Sequence, residues 1–117
     1  MRKADFIGRF EILERSCTVA MYGIGETNYV ASCQVWRCGD RGFMHSINGR
    51  AVYQTLAQPG ELTRLLKQLE VKSLEGYATP AHARLLKTAL SEVGIVTALS
   101  HGMMAGRKMI WMRVEDK

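Results

Sequence analysis

Val71 to Val114, VKSLEGYATPAHARLLKTALSEVGIVTALSHGMMAGRKMIWMRV, is the stretch whose reading decides the fold. A strand is predicted near Val71–Tyr77. Thr79 is a good N-cap and Pro80 suits the first helical position, where a missing N–H goes unused anyway. Leu85, Leu86, Ala89, Leu90 and Val93 then recur at helical spacing, and Gly94 ends the pattern. Ile95–Leu99 and Lys108–Val114 predict a final pair of strands around a Gly/Met-rich loop. Strand, helix, strand, strand in this order requires a mixed α and β architecture.

Working outward, Gln58-Pro59-Gly60-Glu61 breaks the chain and starts a second helical stripe of Leu62, Leu65, Leu66 and Leu69. From Cys17 to Gln54 the residue types favour strands, with turns at Gly39-Asp40-Arg41-Gly42 and Asn48-Gly49. Strands are predicted near 17–22, 28–38, 43–47 and 50–54 as an antiparallel meander, although Arg50 onward could instead enter a helix. In residues 4–15, Phe6, Ile7, Phe10 and Leu13 fit a helix with Asp5 as N-cap, while the alternation around Phe10 and Ile12 leaves a strand open. Each helix needs one apolar face covered and the sheet needs one face buried. The expectation is therefore an α+β two-layer sandwich, an antiparallel-rich sheet with two or three helices packed on one face. Leu62, Leu65, Leu66, Leu85, Leu86, Leu90, Ile110 and Val114 are its expected core.

The chain has 117 residues, 47% apolar and 23% charged, which fits one globular domain over residues 1–117 and argues against disorder. No apolar run reaches the about 20 residues that a membrane span needs. The first residues lack the uninterrupted apolar segment of a signal peptide, so a cytoplasmic location is expected. The net charge is +5 with a pI near 9.4. That balance favours polyanions. The basic residues are scattered, however, and adjoin only at Arg2-Lys3 and Arg107-Lys108.

HGMMAGRK, residues 101–108, faintly resembles the phosphate-cradling loop of acyl-CoA-dependent N-acetyltransferases. Such a loop works by aiming a helix N-terminus at a diphosphate; here a strand follows, so no family is assigned. Arg41-Gly42-Phe43 opens like the octapeptide of RNA-recognition domains, but Met44, His45 and Ser46 stand where that motif needs a small residue, an aromatic and an aliphatic. Cys17, Cys33, Cys38 and His45 lack zinc-ligand spacing, and an odd cysteine count points to free thiols. No metal, cofactor or catalytic set is expected.

The remaining candidate is a contact surface. Arg107 and Lys108 supply cations, Met103 and Met104 adaptable thioethers, and Trp111 and Arg113 share a strand face by the period of two. His101 lies beside the loop. On these residues the leading expectation is a small non-enzymatic binding or regulatory protein that contacts nucleic acid, or a protein that handles it. A protein–protein inhibitor or adaptor using the Met/Trp/Arg surface, with homodimerisation open, is the alternative. A small enzyme with His101 in its site is the third.

Overall fold

The computed structural model describes residues 14–22, 30–45 and 49–117, with side chains described at 35, 37–44 and 52–117. Within them the chain runs β1 (Glu14–Tyr22), β2 (Val30–Cys38), β3 (Arg41–His45), α1 (Gly49–Leu56), α2 (Glu61–Leu69), β4 (Ser73–Ala78), α3 (Pro80–Leu90), β5 (Gly94–Met104) and β6 (Arg107–Asp116). The strands form one six-stranded sheet in the order β1-β2-β3-β4-β6-β5. All neighbours pair antiparallel except β3 and β4, which run parallel. The α+β class with an antiparallel-rich sheet stands. The parallel pair exists because a two-helix crossover, α1 and α2, separates its strands.

The helices cover one sheet face. Val52 and Leu56 of α1, the four leucines of α2 and Leu90 of α3 close on Val35, Leu74 and Val114 of the sheet, all buried. Leu62 and Leu65 are 1% and 0% exposed. Glu70 ends α2 in the left-handed region, and its N–H donates to the carbonyls of Leu66 and Lys67. Thr79 caps α3 as the sequence suggests, accepting from the His82 N–H at 3.2 Å.

Three local expectations need correction. Residues 50–54 are helix, not strand. Val52, Tyr53 and Thr55 favour β locally, yet Val52, Tyr53, Thr55 and Leu56 are buried while Gln54 is exposed, and packing overrides propensity. Leu85 is 52% exposed. Adjacent residues on a helix point about 100° apart, and Ala83, Leu86 and Leu90 take the inward face. The Gly/Met loop is mostly strand: β5 and β6 meet at a two-residue turn, Ala105-Gly106, with φ of 51° and 76°. Two positive φ values suit a tight hairpin whose twist matches its strands. Residues 4–13, read as helix or strand, lie outside the described residues.

Gly94 opens β5 at a tight junction. A Cβ there would lie 2.6 Å from the Glu115 carbonyl oxygen and 2.8 Å from Leu62 Cδ2. Gly94→Ala is expected to destabilise the protein by about 1–3 kcal/mol through this overpacking, read from the urea midpoint.

Candidate functional site

The parallel pair creates a cleft. β3 and β4 are in register at Arg41/Ser73, Gly42/Leu74 and Phe43/Glu75, and there the ladder stops. β4 continues beside β6 to Ala78. At the next position the two backbones stay close, since a Cβ on Gly76 would sit 2.9 Å from the Met44 carbonyl oxygen. On the helix-covered face, over the ends of these two strands, lies a cavity of about 130 Å³. Its floor is Met44, Leu74, Ala78 and Met112; its roof is Val52, Tyr53 and Leu56 of α1 with His82 and Leu86 of α3. The lining is predominantly apolar. Tyr53 and His82 meet edge to face, ring centroids 5.9 Å apart, and add polar atoms to it. Both parallel strands run toward this end of the sheet, so the chain enters α3 directly after β4, at Pro80.

The opposite sheet face carries the densest polar cluster. The Glu75 side chain is fully buried. It accepts from Arg41 Nε at 2.7 Å and Arg41 Nη2 at 2.9 Å, from Trp111 Nε1 at 2.8 Å and from Arg113 Nε at 3.3 Å. Arg41 also lies 4.9 Å from the Phe43 ring centroid. Burial pushes the Glu75 carboxyl up, but hydrogen bonds from Arg41 and Trp111 and the charges of Arg41 and Arg113 outweigh it and hold the pKa below the ordinary glutamate value. An ionised carboxylate with both oxygens engaged is a poor proton acceptor. Its work is to tie β3, β4 and β6 together. The sign of its pH dependence follows. A depressed folded-state pKa gives stability that is fully present above about pH 4.5, the ordinary value, and is lost as pH falls through the lower folded value. Acid titration of unfolding is expected to show this loss in the wild type and a flatter curve in Glu75→Gln.

The expected contact residues are divided by the hairpin. Arg107 pairs with Met104, Lys108 with Met103, and Ile110 with His101. Strand alternation therefore puts Met104, Arg107, Trp111 and Arg113 on the face with Glu75, and His101, Met103 and Lys108 on the other. Arg107, Lys108, His101 and Met103 are exposed. Met104 is half-buried against Phe43 and Trp111. Trp111 is 0% exposed, so it offers no ring for stacking, and Arg113 is engaged by Glu75. The Cys38 thiol is free and exposed; Cys17, Cys33 and His45 have no described side chains.

Sequence reasoning missed the cleft and the Glu75 cluster. Met44, Tyr53 and Met112 carry no signal of their own, because the cavity arises from a parallel pairing that the sequence read as a meander. Strand alternation linked Trp111 to Arg113, and Glu75, the one acidic residue of β4, could have been set against them.

No family model and no curated protein matches the chain. Among solved structures it is similar to a "putative phosphinothricin N-acetyltransferase", at 17% identity and a TM-score of 0.48, over 79% of this chain and 66% of that one. The chain thus spans just under two-thirds of that protein's length. The expectation of a non-enzymatic nucleic-acid binder, or of an inhibitor or adaptor built on a Met/Trp/Arg surface, is withdrawn. In this chain Trp111 is enclosed and the cations are split between the two sheet faces. A likeness this low carries no argument about this chain's own activity. Among the described residues no helix is long and apolar enough to cross a membrane, and no group of three or more His, Cys, Asp or Glu is placed to hold a metal ion.

Proposed function

We propose that this chain binds a small molecule, and that the ligand inserts an apolar group into the cleft between α1, α3 and the ends of β3 and β4. The observation that carries this reading is the cavity itself, about 130 Å³ and open between α1, α3 and the sheet. An apolar cavity of about 150 Å³ accepts benzene and stays dry when empty, so this one suits a single ring or a short acyl chain. Whole drug-sized sites span about 300–1,000 Å³. The rest of the ligand therefore lies outside the cavity. Tyr53 and His82 supply polar atoms in the cleft.

The test is thermal shift and calorimetric titration with named probes: indole, hexanoate, and acetyl- and hexanoyl-coenzyme A. At least one is expected to bind the wild type. Leu86→Trp, which fills the cleft from α3 at a half-buried position, is expected to abolish that binding while keeping the wild-type circular dichroism spectrum. Equal binding by the folded variant would move the site elsewhere.

A further inference from the structure

We propose that β5 is a pairing edge, and that its partner is β5 of a second copy of this chain. β5 ends the sheet among the described residues, and it is long, 11 residues from Gly94 to Met104. An edge strand presents a row of N–H and C=O groups without ladder partners, a template for another strand. Proteins commonly protect such edges with charge, proline or brevity. β5 has none of these: GIVTALSHGMM contains no Asp, Glu, Lys, Arg or Pro. β1, at the other end of the sheet, carries Glu14 and Arg15. The protection β5 does have is a register shift between Ala98 and Ser100.

Its side chains point the same way. Of the four exposed large hydrophobics among the described residues, three lie on this strand: Ile95 at 52%, Leu99 at 39% and Met103 at 39%. Ile95, Val96 and Thr97 are consecutive β-branched residues, the type that packs best on a pleated surface.

The ladder groups select an extended partner, because a helix has no backbone hydrogen bonds to give. Charge selects a second copy. A two-fold axis brings each segment against itself, so any charged residue near the axis meets its own kind. In a chain of net charge +5, the uncharged β5 is where two copies approach with least repulsion. The bulge at Leu99 fixes a register. Before it, Ile95 shares a sheet face with Arg113 and Glu115; after it, Met104 pairs with Arg107 on that same face. Setting Ile95 of one copy beside Met104 of the other, and Val96 beside Met103, keeps every pair on one face.

Sedimentation velocity of the full chain between about 1 µM and about 1 mM tests this, a range that spans weak to moderate affinities. A reversible monomer–dimer equilibrium is expected. The double variant Ile95→Lys, Leu99→Lys should weaken it at least tenfold. Ile95 faces Glu115 across the ladder, so a lysine there gains an opposite charge and the fold is expected to persist. Hydrogen exchange on the wild type gives a second readout that needs no variant: amides between 95 and 104 should become more protected with concentration, and those of β1 should not. A single monomeric species up to the highest concentration would overturn the proposal. So would a dimer that the folded double variant forms unchanged, or protection that does not rise along β5.

Discussion

Glu75→Ala is expected to lower the unfolding free energy by about 3 kcal/mol, the lower end of what breaking a buried ion pair costs. The lower end applies because the two guanidinium partners are not sealed in. Arg41 and Arg113 side chains are 44% and 33% exposed, so both can rehydrate once the carboxylate is gone. The loss is nevertheless large, since one side chain at 0% exposure supplies the acceptor for Arg41, Arg113 and Trp111 Nε1. Glu75→Gln retains an acceptor and the shape while removing the charge, and should fall between the wild type and Glu75→Ala. Urea unfolding monitored by Trp fluorescence gives all three values. A loss below about 1 kcal/mol in Glu75→Ala, the scale of an exposed pair, would show that water substitutes for the carboxylate.

Leu65→Ala is expected to cost about 2–5 kcal/mol, the range for a leucine removed from a closed core. Leu65 is 0% exposed in the middle of α2 and belongs to the cluster with Leu62, Leu69, Val35 and Leu74. α2 is the second half of the crossover that makes β3 and β4 parallel. Loosening it should therefore also disturb the cleft, seen as weaker probe binding at temperatures where the variant is still folded. Leu85→Ala is the internal control. The same chemical change at a 52% exposed site is expected to alter stability by no more than about 0.5 kcal/mol.

These two residues also mark how far the sequence can be read. Leu65 was legible because four leucines at helical spacing after Pro59-Gly60 have one physical solution, a stripe against the sheet. Thr79-Pro80 was legible for the same reason: a cap and a first-turn proline act within four residues. Leu85 was not, because adjacent leucines both fit a helical pattern and only packing decides which one faces inward. At Val52-Tyr53 strand and helix both stay open in the sequence, since local propensity favours β while only burial against the sheet requires a helix. Glu75 lay beyond reach on a larger scale. Its partners Arg41, Trp111 and Arg113 are 34, 36 and 38 residues away, and only the strand order brings them together. The cleft is the extreme case. It is made by the place where a ladder stops, and no residue in it advertises that. Trp111 shows the opposite error, in which an aromatic next to arginines looks like a contact surface until its indole N–H is found on a buried carboxylate.

The central claim, that the cleft over the ends of β3 and β4 holds a ligand, can be read directly from methionine methyl groups. Met44 and Met112 line the cavity, whereas Met104 and Met109 pack on the opposite-face cluster around Trp111 and Met103 is exposed on β5. In a ¹³C-methyl-methionine sample titrated with the probes above, the account predicts saturable shifts at Met44 and Met112, with Met103, Met104 and Met109 unmoved. Saturable shifts confined to Met103, Met104 or Met109, or no saturable shift at Met44 and Met112 with a probe that calorimetry shows to bind, would contradict it.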